Sequence, residues 1–273
     1  MVDERESCEI PVIGIVLEQI AEAAGYMWMQ HWAEANAGNI TLNVTSILDS
    51  AKLPLAARKV ELPRAYPSLA GQLILATVTG SRMRDVSLDP AAGCMLLRIE
   101  DGGKAFSVLA AFNASGRPTS ELASHLLIHE MLLETGSKLR TVVHTHPPEL
   151  VALTHAAETQ PEGWLNDALW AAHAEVKIFF PGGVGHVPYI MPGSEALAEA
   201  TVEALRSHPV VVWARHGALA LGENALDAFD ALDTLNKAAD IWLTCRAAGV
   251  EPTHLSAPEL AELGSYLKKL TGE

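Results

Sequence analysis

"TVVHTHPPEL", residues 141–150, brings three signals together in ten positions. The apolar, β-branched start reads as a strand, and two histidines, His144 and His146, follow on the same parity. Pro147 and Pro148 then stop the ladder, because proline has no backbone N–H to donate. Side chains alternate along a strand, so His144 and His146 share a face with about 7 Å between their backbone positions. Two imidazoles so placed can converge on one ion at about 2.1 Å per ligand, at a sheet end that meets solvent. The pair alone is weak evidence. A chain with 11 histidines in 273 residues shows roughly 0.4 His-x-His pairs by chance, so the neighbouring segments must decide.

Working outward, "PELVALTHAA" reads as a helix directly after the strand. Before it, "RPTSELASHLLIHEMLLETG" opens on Pro118, Thr119 and Ser120 and stops at Gly136, which predicts a helix over 120–135. "VKIFF" and "VVVWA" read as buried strands, the second followed by "ALALG". Apolar periodicity predicts a helix from Ile10 to about Ala35, and "ANAGNITLNV" reads as a loop entering a strand with Ile40, Leu42 and Val44 alternating. Residues 46–70, with three prolines, read as a surface connection or short helix. "QLILATVTGS" is a β-rich run ending in a turn, and "CMLLRIEDGGKAFSVLAAF" is a hairpin with Asp101-Gly102-Gly103 at its tip. Two late helices are expected over 194–207 and 224–247, followed by an amphipathic tail. "GGVGHVPYIMPG" lacks the spacing of a dinucleotide loop and reads as a connection. Mixed elements with antiparallel hairpins predict an α/β chain, residues 1–273 forming a single domain with a sheet flanked by helices.

The hydrophobic content of 49% is enough for a substantial core. A net charge of -14 argues against nucleic acid or an anionic membrane as partner, since both demand a basic surface. Cys8, Cys94 and Cys245 are odd in number and far apart, which excludes a disulfide framework. The acidic start "MVDERESCEIPVIG" is the reverse of a signal peptide, and no run of 18 apolar residues is present. The cytoplasm is the expected location.

A third ligand candidate, His216, lies in "VVVWARHGALALG" at a tight reversal between two strands, where Gly217 is expected to free the backbone. Glu121, near the start of the 120–135 helix, adds a carboxylate. Three histidines with an open position are the recurring make-up of a catalytic zinc site. A rival set, Glu121, His125 and His129, falls at i, i+4 and i+8 on that helix. There Leu126 follows the first histidine where a metalloprotease needs glutamate, so His125 and His129 read as buried, hydrogen-bonded helix residues. Asn36-Ala37-Gly38-Asn39 and Thr79-Gly80-Ser81 are candidate anion loops, and Thr119 and Ser120 add a helix start.

Taken in order, "AGNITL", "VTGS", "DVSLDPAA", "PTSEL", "VVHTHPPELVALTH", "FFPGGVG", "PYIMPGSE" and "HGALALG" resemble the class II aldolase/adducin family from about Ile10 to Leu270. The resemblance implies an α-β-α sandwich with a mainly antiparallel sheet, and one zinc ion per subunit held by His144, His146 and His216. It implies Glu121 as catalytic carboxylate, and phosphate binding by Asn36, Gly38, Asn39, Ser81, Thr119 and Ser120. It further implies a homotetramer with active sites at subunit interfaces, where Glu175 enters from a neighbour as a second catalytic carboxylate. The reaction implied is reversible cleavage of a ketose 1-phosphate into dihydroxyacetone phosphate and an aldehyde. Related members act as sugar-phosphate epimerases or as dehydratases of a methylthio-sugar phosphate. Non-catalytic adducin-like domains have lost metal ligands that this chain keeps. Ala35 replaces an arginine of the family pattern, Ala37-Gly38 replaces two glycines, and "RMRDV" after Ser81 is shorter and lacks Gly-Lys. Arg82 or Arg84 is the candidate for the missing positive charge.

Overall fold

The computed structural model describes residues 11–49 and 53–271; Cys8 and the expected helix start at Ile10 lie outside them. Helix α1 spans Pro11–Met29 and ends earlier than the periodicity suggested. His31 turns left-handed, with φ 62. Trp32 N–H then donates back to Met27 O at 2.9 Å and His31 N–H to Trp28 O at 3.1 Å. These bonds satisfy the last carbonyls and stop the helix, so residues 30–38 are free to form a loop.

Nine strands follow among the described residues: β1 (Asn39–Asn43), β2 (Ala56–Glu61), β3 (Leu73–Thr77), β4 (Cys94–Ile99), β5 (Ala105–Phe112), β6 (Thr141–Thr145), β7 (Gly185–Val187), β8 (Val210–Trp213) and β9 (Gly217–Gly222). The remaining helices are α2 (Met83–Val86), α3 (Pro90–Gly93), α4 (Leu122–Glu134), α5 (Pro148–Ala157), α6 (Trp164–Ala172), α7 (Ala174–Phe179), α8 (Glu195–Leu205), α9 (Ala225–Ala247) and α10 (Ala257–Thr271). One sheet has the order β2-β5-β4-β3-β1-β6-β9-β8-β7. Every pairing is antiparallel except β7 with β8. The expected mainly antiparallel sheet is therefore present.

Strand parity sorts the two faces. Ile40, Leu42 and Val143 join residues of α1, α5, α6 and α9 in one core. Val142, Leu219 and Trp213 join Ile128 and Leu132 of α4 and Leu197 of α8 in another. The sheet is thus covered on both sides, and each fully buried aliphatic side chain stabilises it by about 1.5–3 kcal/mol. Side chains of β1 and β6 that share parity with Val142 face α4, and that face holds Asn39, Thr41 and His144.

Three expectations require correction. Residues 46–70 contain strand β2, a half-exposed sheet edge whose polar "AARKVE" has no apolar alternation to reveal it. "VKIFF" is not a strand. Val176 and Phe180, four apart, are buried while Phe179 is 63% exposed, a helical rather than contiguous pattern. Within the expected connection "GGVGHVPYIMPG", Gly185–Val187 adds the short parallel edge strand. The late helices match their signals: Ser194 accepts from Leu197 N–H, and Asn224 accepts from Leu226 and Asp227 N–H. Among the described residues, no helix is long and apolar enough to cross a membrane.

Candidate active site

His144, His146 and His216 come together at the ends of β6 and β9. Their candidate ligand atoms lie within 4.8 Å of one another, and the rings are 5.0–5.2 Å apart by centroid. His144 sits in the middle of the sheet, paired across to Asn39 on β1 and Leu219 on β9. Its Nδ1–H donates to Ala218 O at 2.9 Å, which leaves the Nε2 lone pair free. Trp213 packs 4.6 Å from His144 and 5.0 Å from His216, and its own Nε1–H is held by Thr201 Oγ1 at 2.9 Å. Burial lowers the pKa of both His144 and His216, so the rings are kept in the neutral form that ligates metal.

Gly217 serves this cluster by its size. Its φ is not positive; the left-handed residue at the reversal is Arg215, at φ 60. A Cβ at Gly217 would lie 2.5 Å from Thr145 O, 2.8 Å from His146 Cδ2 and 3.0 Å from His144 Cε1. Glycine is needed so that the histidines can approach the β8–β9 turn, not so that the turn can bend.

Glu121 caps the start of α4 and is 7% exposed. Its carboxylate lies 3.6 Å from His144 Nε2 and 3.8 Å from His216 Nε2. Asn39 Nδ2 donates to Glu121 Oε2 at 2.8 Å. The Asn39 side chain, expected in the anion loop, is therefore engaged in orienting the carboxylate. His125 and His129 stand behind this layer, fully buried, each bonded to Thr41 Oγ1, at 2.8 and 2.9 Å. Desolvation lowers both to a pKa of about 3, so both are neutral and structural.

A cleft of about 340 Å³ opens onto the cluster. Asn36, Gly38, Asn39, Ser81, Thr119, Ser120, Glu121 and the three histidines all line it. Gly38 has φ 83, a left-handed backbone that favours glycine, where the loop meets the tip of Met27 from α1. No lysine or arginine is among the described lining residues. Arg84 lies over the Trp28 ring at 5.3 Å and 3.7 Å from Asp85, and is not among the residues lining the cleft. Glu175 is exposed on α7 and is not among the lining residues of its own chain. One residue escaped the sequence reading: Glu34 Oε1 accepts from His146 Nδ1–H at 2.7 Å. A larger cavity of about 580 Å³, beside His186 and His208 at the β7 edge, holds no comparable group of ligating atoms among the described residues.

Three imidazole donors within reach of one point fit the chemistry of a divalent metal. Two of the rings have Nδ1 occupied, which leaves Nε2 free to ligate, and the Glu121 carboxylate stands beside them.

The family model of the Class II Aldolase and Adducin N-terminal domain matches residues 18–243. The rhamnulose-1-phosphate aldolase of Bacteroides thetaiotaomicron is 36% identical over 255 residues, covering 93% of this chain and 94% of that one. The Klebsiella pneumoniae enzyme of the same name is 32% identical, with 91% of each chain covered. Among solved structures, a sugar-phosphate aldolase from Thermotoga maritima superposes with a TM-score of 0.77 at 33% identity, covering 88% of this chain and 98% of that one.

Proposed function

The chain belongs to the class II aldolase and adducin family, and from that premise we propose that it is a zinc-dependent aldehyde-lyase of one domain. It reversibly cleaves L-rhamnulose 1-phosphate to dihydroxyacetone phosphate and L-lactaldehyde, in rhamnose catabolism. The observation that carries the reading is the convergence of His144, His146, His216 and Glu121 at one end of the cleft. Two relatives that bear the name of that activity share at least 32% identity with this chain over nine-tenths of its length.

Cleavage breaks the bond between C3 and C4 of the ketose. The C4 hydroxyl loses a proton as it becomes the aldehyde, and C3, left with the bonding pair, takes a proton up. Bound at the three histidines, zinc supplies the Lewis acidity that stabilises negative charge on the ketone oxygen, so no Schiff-base lysine is required. Glu121 carries the proton at C3, held in place by the amide of Asn39. Asn36, Gly38, Ser81, Thr119 and Ser120 hold the phosphate with backbone N–H and hydroxyl donors, and Asn39 forms the floor between phosphate and carboxylate. Glu175, exposed on α7 and outside the cleft of its own chain, reaches the site of a neighbouring subunit and takes the proton of the C4 hydroxyl. The working form is a cytoplasmic homotetramer.

The lack of a cation among the described lining residues favours one second reading. In that reading the same metal and Glu121 chemistry acts on a different ketose phosphate, as in fuculose-phosphate aldolases or the epimerase and dehydratase branches. A coupled assay for dihydroxyacetone phosphate release from L-rhamnulose 1-phosphate, with and without chelator, separates the two. Chelator-sensitive release is expected. Zinc-loaded protein that releases nothing would keep the metal site and overturn the substrate.

A further inference from the structure

Each imidazole of the cluster has an outer nitrogen, and the three are treated differently. His144 Nδ1 is bonded to Ala218 O, a fixed carbonyl of β9. His216 Nδ1 is buried without a partner. His146 alone is backed by a side chain, the Glu34 carboxylate at 2.7 Å. Glu34 is 66% exposed, and among the described residues the only side-chain bond it makes is the one to His146. An exposed pair of this kind contributes little to folding. It does fix the tautomer and orientation of His146 and leave Nε2 free to ligate.

Glu34 also starts the anion loop. Its carbonyl accepts from Ala37 N–H at 2.8 Å, closing the turn that carries Asn36 and leads into Gly38. Ala35, inside that turn, is held left-handed at φ 51. The base of the loop is fastened to β6 separately: Trp32 O accepts from His146 N–H at 2.9 Å and from Thr145 Oγ1–H at 2.8 Å. A side-chain hydrogen bond therefore joins one histidine of the cluster directly to the start of the anion loop, on a backbone anchored independently of it.

We infer that Glu34 is a positioning residue that sets the metal affinity of the histidine cluster and couples metal binding to the order of the anion loop. This rests on the reading of His146 as a metal ligand. Coupling of this kind is reciprocal: a metal that fixes the His146 ring also fixes Glu34 and the turn behind it, and a fixed turn strengthens metal binding.

The test uses the full chain as wild type, Glu34→Ala and Glu34→Gln. Zinc affinity is measured by competition with a chromogenic chelator, and hydrogen exchange of residues 34–39 is followed with and without zinc. Glu34→Ala is expected to bind zinc about 10- to 100-fold more weakly, with the melting temperature of the zinc-free protein unchanged. Glu34→Gln, whose amide oxygen still accepts from Nδ1–H, recovers much of that loss. Zinc slows exchange across 34–39 in the wild type and not in Glu34→Ala. The inference is overturned if Glu34→Ala binds zinc as tightly as the wild type, or if zinc protects its loop equally. A wild type that binds no zinc would refute the metal reading itself, and the titration reveals that before any variant is compared.

Discussion

Replacing Gly217 by alanine tests the geometry of the cluster through a single methyl group. The added carbon would lie 2.5 Å from Thr145 O, about 0.9 Å inside the 3.4 Å at which ordinary contact begins. It also falls about 0.6 Å short of that distance from His146 Cδ2 and about 0.4 Å short from His144 Cε1. Thr145 is paired to Ala218 across the β6–β9 ladder, so its carbonyl cannot move without breaking register. The rings must shift as well, and metal ligands tolerate only about 0.2 Å of displacement. Overpacking of this kind destabilises by about 1–3 kcal/mol, or roughly 2–10 °C in a chain of this size. Zinc should bind at least about 10-fold more weakly, because two ligands are displaced together. Thermal unfolding in chelator reads the first effect, and chelator competition reads the second. Gly182→Ala is the control: a Cβ there meets nothing within 4 Å, and the melting temperature should not change. A Gly217→Ala protein with wild-type melting and wild-type zinc affinity would refute the claim that this glycine is needed for close approach.

Glu121→Gln should lower turnover by about 100-fold or more while zinc content, read by metal analysis, is retained; loss of the zinc instead would make Glu121 a ligand. The Arg82 side chain has no hydrogen bond or ion pair among the described residues, and Arg82 directly follows Ser81, so Arg82→Ala should raise KM for the ketose phosphate about 10-fold with kcat kept. Arg84→Ala should leave KM unchanged, because Arg84 is engaged with Trp28. Burial holds His125 and His129 at a pKa of about 3, below the unfolded value near 6.5. The unfolded chain therefore binds more protons between those values, and the stability they confer is complete above about pH 6.5 and falls as pH drops toward 3. The slope is about 1.4 kcal/mol per pH unit for each ring; a urea midpoint of the zinc-free protein that stays flat from pH 7 to pH 5 would contradict it.

What the sequence revealed follows from the range over which each residue acts. The β6 strand, the prolines after it and the caps at Ser194 and Asn224 are local signals, and each element formed where its signal stood. Strand β2 stayed hidden because an edge strand needs neither face fully apolar, and α7 was misread because six residues are too few to separate a helical period from a buried run. The C-terminal end of α1 and the role of Gly217 were misjudged for a different reason: both are set by packing that the local pattern does not contain. His31 turns against Met27 and Trp28, and Gly217 meets residues more than seventy positions away in sequence.

The same distinction divides the site. Residues that would touch metal are restricted by chemistry to a few types, so three histidines beside strand ends are conspicuous even in a single sequence. Residues that orient them are not. Glu34 is one of 33 acidic residues, lies 112 positions from His146, and sits in a loop whose letters announce a turn and nothing more. Asn39 was legible as a loop donor, yet the fold directs its amide to Glu121, 82 positions on. A hydrogen bond between distant segments exists only once β1, β6 and the start of α4 are side by side, so the ligands can be read from residue type while their supports need the fold. Relatives with the same three histidines can accordingly differ in metal affinity and in substrate through the second set of residues alone, and in this chain Glu34, bonded to His146, and Asn39, bonded to Glu121, belong to that set.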